Sequence, residues 1–192
     1  MFKIKSVFSW VTALSNYYYK KYIMEKLWSP WRSQYIGTFK ESEKKEEESC
    51  FFCEAIKSGI ESIETLIVHK GKSCIVIMNK FPYNSGHLLI APIKHTGSLV
   101  ELSTDELNEI MSLQVTSASI LQTLYKPHGF NIGANIGRAA GAGVPGHLHY
   151  HILPRWNGDT NFMPIIAETK VLSQSLDEAF ELISSEFGKI LK

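Results

Sequence analysis

The stretch GHLHYHILPRW, residues 146 to 156, places His147, His149 and His151 at every second position, with Leu148, Tyr150 and Ile152 between them. Strict alternation is the period of an extended chain, so the pattern predicts a buried strand with a histidine face. Same-face neighbours on a strand lie about 7 Å apart, and the outer pair of three about 13 Å apart. Two adjacent histidines could share a metal ion, but three could not without a kink. The spacing predicts divided labour rather than one three-histidine metal site. A single buried histidine is usually a satisfied core residue; three in strict alternation are read as functional.

The rest of the chain supplies elements for such a strand to pair with. TLIVHKGKSCIVIMN (65–79) reads as two strands around a turn at Lys70-Gly71-Lys72, FPYNSG (81–86) as a turn, and HLLIAPI (87–93) as a strand ended by Pro92. STDELNEIMSLQVTSASILQTLYK (103–126) is the clearest helix. Ser103 and Glu106 form a capping box, and Leu107, Ile110, Met111, Leu121 and Leu124 recur at helical spacing. GFNIGANI (129–136) reads as a strand, and residues 175–192 as an amphipathic helix with Leu176, Phe180, Ile183 and Phe187 on one face. Strands in series, interrupted by one long helix, predict an α+β fold with an antiparallel sheet rather than a doubly wound one.

Twenty basic and nineteen acidic residues leave a formal charge of +1, which gives no electrostatic case for binding a nucleic acid polymer or an anionic membrane. No apolar run approaches the roughly 20 residues needed to span a bilayer. Cys50, Cys53 and Cys74 are an odd set without a secretory pattern, so a reducing, cytoplasmic setting is expected. Cys50 and Cys53 form C-x-x-C, a metal or redox signature, whereas Cys74 lies in an apolar run and reads as a small core residue. Residues 1–23 are basic with a short apolar middle that holds Ser and Thr and lacks a small-x-small cleavage site. They are read as a loosely ordered extension or an upstream start before a single domain, 24–192. The charge run at 40–49 is read as a solvated loop.

Two phosphate-binding motifs fail on context. GAGVPG (141–146) fits G-x-G-x-x-G but holds Pro145 and precedes a strand instead of opening a helix; GKS (71–73) has Leu66 where a P-loop needs its first glycine. The glycine loop retains a physical meaning. Gly141, Gly143 and Gly146 let an anion approach main-chain N–H groups closely. Beside it, neutral imidazole is a nucleophile and a neighbouring imidazolium can stabilise phosphate charge or protonate a leaving oxygen.

At this point the sequence resembles the histidine-triad (HIT) family. GHLHYHILPRW matches the triad, NKFPYNSGHLLIAPIKH (79–95) the family's upstream segment, and CFFCEAI (50–56) the N-terminal segment of its zinc-bearing members. The likeness covers roughly residues 50 to 160. Together with LWSPWRSQYI (27–36) and the 135–162 region, it is most like the branch of bacterial diadenosine tetraphosphate phosphorylases and dinucleoside polyphosphate hydrolases.

The resemblance implies a five-stranded antiparallel sheet with a long helix and a C-terminal helix, paired as a homodimer. It makes His149 the nucleophile toward an α-phosphate and His151 its partner in charge or proton transfer. It sets Asn79 at the ribose, Phe52 near the base, and His87 and Asn135 near the phosphates, with Trp156 shaping the pocket. Gly141 and Gly143 would border the phosphates. Cys50, Cys53, His95 and His147 match a structural Cys₂His₂ zinc site. Many family members carry a Gln-Ser or Gln-Thr before the triad, whose hydroxyl meets the leaving group; here the stretch is GAGVPGH. That departure disfavours nucleoside phosphoramidate hydrolysis. The expected reaction is cleavage of a dinucleoside polyphosphate with inorganic phosphate or water as acceptor, phosphorolysis favoured. The alternatives are the phosphoramidate hydrolase and a non-enzymatic, zinc-ordered nucleotide-binding adaptor.

Overall fold

A computed structural model of the chain describes residues 50–59, 61–159 and 174–191, which fall within Lys45–Lys192, one of the two units into which the chain divides. The predicted extension 1–23, the segment 27–36 and the charge run 40–49 lie outside the described residues.

The elements in chain order are α1 (Phe51–Ser58), β1 (Ile67–Lys70), β2 (Cys74–Met78), β3 (Leu88–Pro92), α2 (Thr104–Tyr125), β4 (Gly129–Ala134), β5 (Tyr150–Arg155) and α3 (Leu176–Ile190). The five strands form one sheet, ordered β1-β2-β3-β5-β4, with every neighbouring pair antiparallel. The fold is α+β, as the order of elements predicts. Strands β2 and β3 are buried at every residue, which explains why their sequences read as continuous apolar runs rather than alternating ones. Cys74 is part of this core, and burial pushes its thiol up to about 12.

Helix α2 packs on β2, β3 and β5, and α3 packs on β1 and α2. Both begin with complete capping boxes, Ser103 with Glu106 and Ser175 with Glu178, and these satisfy N–H groups that an uncapped terminus would leave bare. On α2 the buried face consists of Ile110, Leu113, Gln114, Ser117, Ile120 and Leu121. Leu107 and Met111, expected on that face, point outward at 38% and 60% exposure. Period alone cannot tell which of two apolar stripes on a helix meets the sheet. Helix α1 was not anticipated; it is only eight residues long, with Cys50 at its N-cap and Gly59 closing it in the left-handed region.

The histidine strand also needs a correction. Only His151 lies within β5; the ladder starts at Tyr150. Ahead of it, main-chain groups go elsewhere. His147 N–H donates to Val144 O, Leu148 N–H donates to Thr96 O at 2.6 Å, and His147 O accepts from the His149 ring. The alternation survives, with Leu148 and Ile152 in the core, but His147 and His149 are held by loop and side-chain bonds rather than by the sheet.

Candidate active site

His149 and His151 line a pocket of about 480 Å³ together with Phe51, Phe52, Asn79, Lys80, Phe81, Tyr83, Leu89, Asn135, Gly141, Gly143 and Val144. Three segments converge on it: the first turn of α1, the β2–β3 connection, and the glycine loop entering β5. Phe52 is buried against both His147 and His149, with ring centroids 4.9 and 5.0 Å apart. Of the residues singled out from sequence, Phe52, Asn79, Asn135, Gly141, Gly143, His149 and His151 are brought together. Lys80, Phe81, Tyr83, Phe51, Leu89 and Val144 were missed.

Chemical necessity fixes the tautomers. A carbonyl can only accept, so His149 Nδ1, 2.8 Å from His147 O, carries its proton and leaves Nε2 with the lone pair. A main-chain N–H can only donate, so His87 Nδ1 accepts from Tyr83 N–H at 3.1 Å, with Asn79 Nδ2 at 3.2 Å. His87 Nε2 therefore holds the proton and donates to His151 Nδ1 at 2.9 Å. His151 in turn keeps its own proton on Nε2. The two pocket imidazoles, with ring centroids 5.1 Å apart, present opposite characters: a bare nitrogen on His149 and an N–H on His151. Burial lowers both from the ordinary histidine range, His151 to about 4 with His149 as the second cause, so both are neutral at neutral pH.

His87, expected near the phosphates, stands one side chain back from the pocket. It is 1% exposed and lies behind His151, so it does not line the pocket. Trp156 does not line it either. Five residues of extended chain, roughly 16 Å, separate it from His151. Its N–H is tied to Asp159, whose carboxylate also holds Arg155 and Asn84, and which those donors keep well below the usual range.

The glycine loop is a succession of tight turns. Gly141 has φ +89°, in the left-handed region. Asn135 Nδ2 reaches Gly141 O across its neck. The N–H groups of Ala140, Gly141 and Ala142 close these turns, whereas those of Gly143 and Val144, at the pocket wall, donate to no other described residue. The loop's position depends on Gly97 in the β3–α2 connection, where an added Cβ would stand 2.3 Å from Pro145 O.

Behind the pocket, Cys50, Cys53, His95 and His147 bring four ligand atoms within 4.8 Å of one another, a possible metal site. Cys50 Sγ and Cys53 Sγ lie 3.3 and 3.6 Å from His147 Nδ1, and Cys53 Sγ lies 3.1 Å from His95 Nδ1. His147 Nε2 must donate to Pro92 O at 2.8 Å, which directs the Nδ1 lone pair toward the sulfurs. Two thiolates and two imidazoles at these separations fit a tetrahedral ion with bonds of about 2.0 to 2.3 Å.

The chain belongs to the histidine-triad class: the family model described as HIT domain matches residues 61–158. Among curated relatives it is similar to the AP-4-A phosphorylase of Mycobacterium tuberculosis, 32% identical over 86% of each chain. It is also similar to the adenosine 5'-monophosphoramidase of Schizosaccharomyces pombe, 30% identical over 57% of this chain and 76% of the relative. Among solved structures, a zinc-bound histidine triad family protein from Mycobacterium smegmatis shares the fold, with a TM-score of 0.59 and 22% identity over 74% of this chain and 96% of the other. No helix among the described residues is long and apolar enough to cross a membrane.

Proposed function

We propose that this protein cleaves dinucleoside polyphosphates, diadenosine tetraphosphate as the type substrate, through a nucleotidyl-histidine on His149. The observation that carries the reading is the opposed tautomers. A lone pair on His149 Nε2 is available to attack phosphorus, while His151 Nε2–H can bond the phosphate oxygens as charge builds. The P–N bond forms as the P–O bond to the leaving group breaks, and ATP departs. Inorganic phosphate then attacks the same phosphorus, its oxygen displaces the imidazole, and ADP leaves. Water in that second step would give AMP instead.

Phosphorolysis is favoured over hydrolysis by two supports. The loop beside the histidines carries no hydroxyl and offers N–H groups at Gly143 and Val144 that donate to no other described residue, suited to a second anion. The relative with the widest overlap reported above is named a phosphorylase. Asn79 and Phe52 would hold ribose and base, and Asn135 would hold the loop. A zinc ion in the Cys₂His₂ set would supply structure alone, tying α1 to the residues that lead into β5. The domain would extend from residue 24, and the enzyme would act as a homodimer. Leu107, Met111 and Val115 form an exposed row at i, i+4 and i+8 on α2, and β4 is an edge strand with Ile132 exposed; a second copy would cover both.

The test is product analysis of diadenosine tetraphosphate turnover with and without millimolar phosphate. ADP with ATP, formed only with phosphate, is the expected result. AMP with ATP in both tubes would make the enzyme a hydrolase. Absence of products from this substrate would overturn the reading.

A further inference from the structure

Phe81 and Tyr83 are 77% and 53% exposed, large aromatic surface that a monomer in water has reason to hide. The backbone that carries them is held in place. Phe81 N–H donates to Asn79 Oδ1 at 2.9 Å, Tyr83 N–H donates to His87 Nδ1, and Pro82 between them restricts the backbone. The Tyr83 ring lies almost parallel to His151, 11° between planes and 6.2 Å between centroids. Both aromatics border the pocket, as does Lys80, the one charged side chain among its described lining residues. Phe52, by contrast, is buried and packs on His149. The pocket therefore has a buried aromatic wall at the nucleophile and a separate, exposed aromatic edge beside His151.

We infer that the β2–β3 connection, Lys80 to Tyr83, is a subsite for the departing nucleotide: Phe81 and Tyr83 stack the second base and Lys80 neutralises the phosphates before it. The inference rests on the dinucleotide reading above and deepens it. The one charged side chain among the described lining residues and the exposed rings adjoin in sequence, at Lys80, Phe81 and Tyr83. The glycine loop offers no side-chain group for a leaving group, so selectivity for a large anionic one falls to this segment. Aromatic stacking is sequence-tolerant, so the subsite would accept a purine or pyrimidine while rejecting a leaving group without a base.

The test is a pair of binding titrations that do not depend on turnover. Wild type, Phe81→Ala and Lys80→Gln are titrated with AMP and with diadenosine tetraphosphate whose bridging oxygens are methylene groups. Phe81→Ala should weaken the dinucleotide by about 5- to 100-fold, the loss of one base stack, and leave AMP within about twofold. Lys80→Gln should weaken the dinucleotide alone, with a shallower salt dependence. Equal losses for both ligands, or none for either, would overturn the subsite. A wild type that binds the dinucleotide no better than AMP would overturn it as well. Failure of the catalytic reading appears separately, as absence of products from native diadenosine tetraphosphate.

Discussion

His87 Nε2 stands 2.9 Å from His151 Nδ1, and because Tyr83 N–H occupies the other His87 nitrogen, the proton of this bond belongs to His87. A buried residue that meets no solvent thus determines which face of His151 can donate into the pocket. His87 is a positioning residue. His87→Ala should lower kcat by about 100-fold, the cost of a misplaced catalytic group, with KM nearly unchanged. His87→Gln retains an N–H donor and should recover part of that loss. A proportional rise in KM, or equal behaviour of the two variants, would reduce His87 to a packing role.

His149→Ala should abolish turnover by at least about 10³-fold while diadenosine tetraphosphate still binds. Wild type incubated with substrate labelled in the α-phosphate and quenched in alkali should retain label on the protein, and the variant should not. Label persisting in the variant would assign the nucleophile elsewhere.

Protein purified without chelator should contain about one zinc per chain, and Cys50→Ser should lose the metal and melt at lower temperature. Cys50 and Cys53 reach the same imidazole from one turn of α1, so removing either sulfur should detach the helix that carries Phe51 and Phe52. A metal-free wild type with unchanged stability on chelation would refute the site.

Acid should destabilise the fold through His151. Its folded pKa near 4 lies below the ordinary 6.5, so between those values the unfolded chain binds a proton that the folded chain refuses. The contribution is complete above pH 6.5 and is lost as pH falls toward 4, on the order of 1 kcal/mol of it by pH 5 once solvent screening of the half-buried ring is allowed for. Urea unfolding at pH 7 and pH 5 should show a smaller drop for His151→Asn than for wild type; identical drops would contradict the argument.

In the homodimer proposed above, replacing Met111 by Glu, on the exposed row of α2, should halve the sedimenting mass without altering the circular dichroism of the chain. An unchanged mass would remove this face from the assembly.

Much of this architecture is legible in the sequence because its signals are local. Ser103 and Glu106 announce α2, the run Cys74–Met78 announces a doubly buried strand, and Lys70-Gly71-Lys72 marks the turn before it. The alternating histidines announce chemistry, but not that two of them precede the ladder, since that depends on Thr96 and Val144 claiming backbone bonds. Lys80, Phe81 and Tyr83 pass as ordinary turn residues until β2 and β3 fold their connection over His151. Trp156 looks near the triad along the chain, yet extended backbone carries it away from the pocket. His87 looks like a ligand contact until burial places it behind one.

A Cβ built on Gly97 would stand 2.3 Å from Pro145 O, which leaves no room for a methyl group there. Gly97 acts as a shim between two segments: the thickness of residue 97 sets the height of the glycine loop above the pocket floor. The opening of the pocket beside Gly143 and Val144 can therefore be retuned from outside the loop, with every residue of the loop itself left as it is.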